Sequence, residues 1–557
     1  MKKQLLWMWA AILFCGLVMP LSSCSDNDDA KDNGGNVVPD SGSDNYTIEV
    51  GPGMKLNVNE FETRVPRTSD YDQDIFNTLK GLDRVMDVKP YKLNVEYDND
   101  GKAIKTVTAY YFNYKQDIDH GNPSLGWFKQ QCVLTVAGKD RPTVVHTNGY
   151  ALSGADVNKY VNDLDSLRIP TLVGLIGGNC LWVEHRYQGW SLPEGWTNKW
   201  NYLSAKQQSD DIHAVVTAIK SSGIISKSSK WIATGVSKDG ETTAYYAYHY
   251  PTDMDAYVPF CAPFLTDLHD SRPNAYITYE GDVALGSRKD KIITAFKTFF
   301  SNKKLQAEAV ALFKKMYPDR VVNASDEELR LGLLQSMYGN HFSKMSYVAP
   351  KKWEGLIPSA TDGAEAYLTY IMADENTRYG DESNQEYNMR NDYADDFYDS
   401  EFDIFDFLDG LSPSPSRAQN FVVRNDPYEM QCMIDLGNIG WNVEWVKDII
   451  TNAERDALIP VRKPYEYGLT YDNGKFINAF LNGMKTSNCH MLFVYGKQDP
   501  WTGAAIAKEG ERGNLGPNST AIYIEDGIHN DFYEYWTPAE QATYKQWLKE
   551  QGFTPVK

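Results

Sequence analysis

Three side chains in this sequence have the types and the order that acyl-transfer chemistry requires. Ser237 sits in Trp231-Ile232-Ala233-Thr234-Gly235-Val236-Ser237-Lys238-Asp239-Gly240, where a short β-forming run meets a glycine, then a serine, then a helix-compatible stretch over 241–249. That is the layout of a tight strand-to-helix turn that lifts one hydroxyl clear of the backbone. A serine hydroxyl is a weak nucleophile at neutral pH; it needs an adjacent base, and the base needs an orienting acid. Asp499 follows the apolar run His490-Met491-Leu492-Phe493-Val494-Tyr495, and His529 follows Ser519-Thr520-Ala521-Ile522-Tyr523-Ile524. Taken alone, G-x-S is a weak signal. Ser, Asp and His at three successive strand ends is a strong one. Asp526 and Asp531 are rival acids, but they lie too close to His529 in sequence to come from a separate strand. An oxyanion hole on this plan uses the N–H of Lys238 plus one from the His146-Thr147-Asn148-Gly149-Tyr150 loop, with Tyr150 as the donor.

The elements that must position these groups alternate in type. Strands are expected at 91–97, 106–114, 126–136, 143–146, 231–234 and 256–262, with further apolar runs at 172–176 and 179–183 and helical periodicity at 207–219. A helix is also expected within 70–86. This pattern predicts an α/β fold of the α/β-hydrolase type, a mostly parallel sheet with helices on both faces. Between the strand after the elbow and the Asp499 strand lie about 230 residues, too many for a loop. Their pattern is mainly helical (291–301, 305–316, 325–337, 364–374 and 428–436). We expect a cap domain over 271–456, inserted between a first hydrolase part at 45–270 and a second at 457–557. From Asp374 to Asp409 this insertion is rich in Asp and Glu interleaved with Tyr and Phe, either a solvated acidic face or a field for cationic substrate ends.

The first residues read as a processing segment. Lys2 and Lys3 precede an apolar run over 5–19 that is too short to favour a membrane span. Leu21-Ser22-Ser23-Cys24 resembles the lipobox of bacterial lipoproteins, and Ser25-Asp26-Asn27-Asp28-Asp29 resembles the acidic export tag of Bacteroidetes surface lipoproteins. A signal peptide over 1–23, lipid on Cys24 and a flexible tether over 24–44 are therefore expected. They imply attachment to a bacterial outer membrane, facing the surface or the periplasm. A net charge of -20 with no basic cluster argues against nucleic acid as a partner. The 14 Trp and 36 Tyr suit an extracellular binding cleft without naming its ligand. Of seven cysteines, five remain after Cys15 and Cys24 are set aside, with no C-x-x-C pair, so buried thiols are expected, with one disulfide open in an oxidising compartment. No H-E-x-x-H or His/Cys ligand spacing occurs, and neither metal nor cofactor is expected.

Several motifs together resemble the proline-specific serine exopeptidases. These are the bacterial tripeptidyl aminopeptidases of peptidase family S37 (the PS-10 peptidases) and, more distantly, the lysosomal Pro-X carboxypeptidase family. Val183-Glu184-His185-Arg186-Tyr187 looks like their E-H-R-[FY] segment, and Gln116-Asp117-Ile118-Asp119-His120 with Gly126-Trp127-Phe128-Lys129-Gln130-Gln131 resembles Q-x-x-D-H and G-x-F-x-Q-R. Ser237-Lys238-Asp239-Gly240 resembles S-K-G-G, and Gly496-Lys497-Gln498-Asp499-Pro500-Trp501 matches G-x-x-D-P-W. The likeness runs from about Thr106 to the C-terminus, and Ser-Lys favours the S37 branch. Two positions depart from the pattern: Asp239 replaces the second elbow glycine, and Gln131 replaces an arginine.

The resemblance implies release of short, tripeptidyl N-terminal peptides after proline through an acyl-enzyme, from peptide substrates with a free N-terminus. An aminopeptidase must hold an ammonium group, which calls for clefted carboxylates. Glu184 beside Arg186 is either a structural pair or a substrate clamp, and both are carried as substrate-binding candidates. A carboxylesterase or acyl hydrolase on the same fold is the alternative, since fold does not determine substrate. A non-catalytic binding lipoprotein is a third reading.

Overall fold

The computed structural model describes residues 47–51, 54–57, 68–97, 103–152, 155–156, 161–162, 167, 169–189, 191–193, 200–276, 288–318, 321–322, 324–347, 353–372, 427–440, 446–458, 463–530 and 533–556. Cys24, the expected signal and tether, the acidic stretch Asp374–Asp409 and Asp531 lie outside these residues.

Nine strands form one sheet: β1 (Val85–Tyr97), β2 (Ala103–Asp117), β3 (Trp127–Thr135), β4 (Thr143–Thr147), β5 (Asn179–Val183), β6 (Trp231–Val236), β7 (Ala256–Phe260), β8 (Met491–Gly496) and β9 (Ser519–Ile524). Across the sheet they run β9-β8-β7-β6-β4-β5-β3-β2-β1. Neighbours from β9 to β5 are parallel, and β3, β2 and β1 continue antiparallel. Every residue of β6, β7 and β8 is buried, as strands covered on both faces must be. A helix occupies only Gln73–Lys80 of the expected 70–86, because the chain turns at Gly81 and enters β1 at Val85.

Helices α1 (Ala205–Ser222) and α2 (Lys238–His249) cover one face, with Ile212, Val216, Tyr245 and Tyr246 packing on β-strand residues such as Val145, Ala233 and Phe493. The start of α1 is set by Ser204, whose hydroxyl accepts the Gln207 N–H, and its end by Gly223 in the left-handed region. The chain between β7 and β8 forms a helical lobe containing α3 (Arg288–Ser301), α4 (Lys303–Met316), α5 (Asp326–Tyr347) and α6 (Ala364–Met372). These helices share a core of their own, including Phe296, Phe299, Leu333, Met337 and Tyr367. The segment Pro427–Leu436, expected within the cap, packs instead on the sheet side. Cys432 and Leu436 join the core beneath α2, and Met430 and Met433 meet Tyr187 and Leu203. The C-terminal helix α7 (Pro538–Glu550) opens with a capping box between Thr537 and Glu540 and packs Tyr544, Trp547 and Leu548 on the opposite face of the sheet. This is an α/β-hydrolase fold with a large helical insertion before the Asp499 strand.

Candidate active site

Ser237 ends β6 and precedes α2 with φ 59 and ψ -124, a backbone conformation that L-residues rarely occupy. Two close approaches force the turn. A Cβ on Gly235 would lie 2.5 Å from the Asp239 carbonyl carbon, and one on Gly240 would lie 2.5 Å from the Phe260 carbonyl oxygen. The Ser237 N–H donates to that same Phe260 carbonyl at 2.8 Å, tying the elbow to the end of β7. The serine is thus held at the C-terminal edge of the sheet, where open parallel sheets present ligands.

Asp499 follows β8 at that edge and is fully buried. Its Oδ1 accepts the Trp501 N–H at 3.0 Å, and its Oδ2 accepts from His529 Nδ1 at 2.6 Å. Pro500 stiffens the turn that aims the carboxylate. His529 lies in the loop after β9, and its backbone N–H donates to the Ser346 carbonyl at 2.8 Å, near the end of α5. The helical lobe therefore grips the histidine loop directly. Trp501 reinforces this, its ring 5.9 Å from the imidazole and 5.3 Å from Phe342 of α5. Of the rival acids, Asp526 is exposed.

The loop expected to complete an oxyanion hole lies on the elbow. A Cβ on Gly149 would sit 2.3 Å from Lys238 Cγ and 2.7 Å from its carbonyl carbon, so only glycine allows this approach. Asp239, the departure from the S-K-G-G pattern, has a positive role here. Its Oδ1 accepts the Gly149 N–H at 2.5 Å, and its Oδ2 stands 3.5 Å from His146 Nε2, whose Nδ1 is 3.0 Å from Asn148 Oδ1. The Asp239 carbonyl accepts from Thr147 Oγ1 at 3.0 Å. A carboxylate in the first turn of a helix is also favoured by the helix dipole. Asp239 thus ties the 146–150 loop to the start of α2.

A hydroxyl on a strained elbow, with a carboxylate-oriented imidazole following in chain order, is the constellation of a serine hydrolase. The sequence comparisons narrow the class. The family model described as PS-10 peptidase S37 matches residues 83–308. A prolyl tri/tetrapeptidyl aminopeptidase from Streptomyces mobaraensis is 25% identical over 491 residues, covering 85% of each chain. The resemblance to the S37 peptidases stands, and the chain is a serine-type peptidase.

Among solved structures, a proline iminopeptidase from Mycobacterium smegmatis is similar at 12% identity and TM-score 0.31, covering 76% of this chain and 95% of its own. An alpha/beta fold family hydrolase from Bacillus anthracis str. Sterne is similar at 14% identity and TM-score 0.27, with the same coverage. The fold assignment rests on the sheet itself.

Two expectations for this S37-like peptidase are corrected by burial. Arg186, carried as a substrate contact, is fully buried and donates five hydrogen bonds within the fold. Nε and Nη2 clamp Asp211 at 2.8 and 2.6 Å, Nη1 reaches the Ile118 and Tyr202 carbonyls at 3.0 and 2.8 Å, and Nη2 also reaches the Asp117 carbonyl at 3.2 Å. All five guanidinium N–H groups are then engaged, so none is left for a substrate. Burial works against its charge, but Asp211 outweighs it and raises the guanidinium pKa. Glu184 is likewise fully buried. Its Oε1 accepts the Leu152 N–H at 2.9 Å, and its Oε2 accepts the Ser191 N–H and hydroxyl at 3.0 and 2.7 Å. A Cβ on Gly189 would lie 2.3 Å from that Oε1. Glu184 therefore shapes the 184–193 loop rather than facing a ligand.

Behind the elbow lies a buried polar cluster that sequence reasoning missed. Lys238 Nζ is 3.8 Å from Glu241 Oε2 and 5.4 Å from the centre of the Tyr428 ring. Desolvation pushes Glu241 up to about 8 against the pull of Lys238, and pushes Asp435 up to about 7 although its Oδ2 accepts the Ala205 N–H at 3.1 Å. Desolvation, helped by Lys238, holds the His185 pKa well below its ordinary value. Tyr428 also meets Tyr150 edge-on at 5.7 Å, so the cluster supports the oxyanion-loop candidate from behind. The Lys238-to-Glu241 spacing marks one helix face, but nothing local signals that Asp435 and Tyr428 join it.

Proposed function

We propose that this peptidase releases short peptides, tripeptides above all, from the free N-terminus of peptide substrates, cleaving after proline through an acyl-enzyme. In this reading Ser237 attacks the scissile carbonyl, His529 takes the serine proton and returns it to the leaving amine, and Asp499 orients the imidazole. The backbone N–H groups of Lys238 and Tyr150 receive the oxyanion. The Asp499–His529 bond carries the proposal, because at 2.6 Å it fixes the ring with Nδ1 engaged. That geometry leaves Nε2 as the nitrogen suited to serve as base. The proline and N-terminal preferences are taken from the similar prolyl tri/tetrapeptidyl aminopeptidase. Lipid attachment at Cys24 and a surface or periplasmic position on the outer membrane belong to the same proposal and are supported by the sequence around Cys24.

The test is a panel of Ala-Ala-Pro amides, blocked and unblocked at the N-terminus, alongside simple esters. Fast release from the unblocked peptide and strong loss on N-acetylation are expected, because an ammonium site that loses its partner is left unsatisfied. Equal cleavage of blocked and unblocked peptides would exclude N-terminal recognition. Preference for the esters would exclude the peptidase role.

A further inference from the structure

Cys261 lies one residue beyond β7, at the same sheet edge as Ser237 and Asp499. It is buried, with φ 47, a left-handed conformation that a β-carbon makes unfavourable. The Cys261 N–H donates to the Val494 carbonyl at 2.7 Å, which fixes the backbone there. Its sulfur stands 3.5 Å from the Asn530 carbonyl and 3.8 Å from the Ile528 carbonyl, on either side of His529. Ligand atoms of Cys261, Asp499 and His529 all lie within 4.8 Å of one another, and all three residues are buried. Among the described residues, Cys261 and the other four cysteines are thiols rather than disulfides. Strained backbone kept at such a place calls for a functional explanation.

We propose that Cys261, Asp499 and His529 form an inhibitory site for a thiophilic divalent cation such as zinc. A thiolate, an imidazole and a carboxylate are a donor set that zinc accepts, at about 2.3 Å to sulfur and about 2.0–2.2 Å to nitrogen and oxygen. Three protein donors with water in the fourth position is a coordination that zinc adopts in many proteins. The proton balance explains the inhibition. Binding releases the Cys261 thiol proton to solvent, and the cation takes Nδ1 of His529. The imidazole stays neutral by carrying its proton on Nε2 instead. With Nε2 protonated, the ring cannot accept the Ser237 hydroxyl proton, and Asp499 no longer orients it. The inhibitory effect rests on the proposed role of His529 as base; the cation site itself does not.

The experiment compares the wild type with Cys261→Ser and Cys261→Gly, the latter chosen because glycine accepts the left-handed backbone. Zinc inhibition of peptide-amide hydrolysis is scored against each protein's own activity, with magnesium as a hard-cation control. Cobalt absorption reports thiolate ligation directly. The expected result is zinc inhibition of the wild type, a sulfur-to-cobalt charge-transfer band, and no effect of magnesium. Both variants should lose the band and need more than about tenfold higher zinc, the lower end of what losing even an outer-sphere partner costs. Equal zinc sensitivity in all three proteins, or a cobalt spectrum without a Cys261-dependent band, would overturn the site. A Cys261-dependent band with undiminished turnover would overturn the inhibition and, separately, the assignment of His529 as base. Peptide hydrolysis absent from the unloaded wild type would instead be a failure of the proposed function, while the cobalt band would still decide the site.

Discussion

Replacing Arg186 by methionine separates a structural arginine from a substrate contact. Methionine keeps much of the side-chain volume and removes all five donors. Asp211 would lose its bidentate partner in a fully buried position, keeping only His120 Nε2 at 2.7 Å and Gln130 Nε2 at 3.2 Å. The carbonyls of Asp117, Ile118 and Tyr202 would lose a charged donor at the same time. Breaking a buried ion pair from one side costs about 3–5 kcal/mol. The remaining Asp211 partners favour the lower half of that range, and the orphaned carbonyls push it back up, so about 4 kcal/mol is expected. Against a typical stability of about 5–15 kcal/mol, this loss should leave a folded but fragile protein. Urea unfolding followed by tryptophan fluorescence should show a large drop in midpoint. Turnover of the molecules still folded, measured at low temperature, should keep a nearly unchanged KM. Arg186→Lys retains the charge but not the planar fork, and should fall between the two. An unchanged unfolding midpoint with KM raised tenfold or more would refute the structural assignment and return Arg186 to the substrate.

Ser237→Ala should lower kcat by several orders of magnitude while leaving the urea midpoint near that of the wild type, and fluorophosphonate labelling should disappear with it; labelling that persists at another serine would exclude Ser237. Asp239→Ala should reduce kcat/KM by about 100-fold, the scale of a 1 Å misplacement of catalytic groups, and Asp239→Asn should rescue it because an amide oxygen still accepts the Gly149 N–H. Steady-state kinetics on the two variants decides this, and equal activities would dissolve the link between Asp239 and the loop. For Glu241 the folded pKa is raised, from 4.5 to about 8, so its stabilising contribution is full below about 4.5 and is lost as pH rises through about 8. Wild-type stability should therefore decline across that window, and Glu241→Gln should flatten the decline by a few kcal/mol in urea titrations at stepped pH; an identical pH profile in the two proteins would contradict it.

The chain's local punctuation made the sheet legible. Apolar and β-branched runs gave way at Gly235, Gly496 and Gly527, each at the end of a strand or in the loop that follows one. The order Ser237, Asp499, His529 could be read for the same reason, since each residue lies just beyond such a run. The Glu184-His185-Arg186 segment was recognisable as a motif but not as to purpose. Whether its charges face a ligand or the interior depends on Asp211, Ser191 and three carbonyls, and no local pattern reports those partners. The role of Asp239 could not be read locally because its counterpart, the Gly149 N–H, comes from 90 residues earlier. The α5 helix extends ten residues past its expected end at 337 to Tyr347, and that added length carries Ser346 to the histidine loop.

The order of the strands along the chain has a consequence for when activity can first appear. β7 ends at Phe260 and its parallel neighbour β8 begins only at Met491, with the helical lobe between them. A chain made from its N-terminus can complete the Ser237 half of the sheet, elbow included, long before Asp499 and His529 exist. Pairings this distant in sequence are the slow ones in folding. Nascent or prematurely ended chains would then carry a shaped Ser237 without the imidazole proposed as its base. Hydrolytic competence would arrive with the last strands, after the lobe that holds the histidine loop has been laid down.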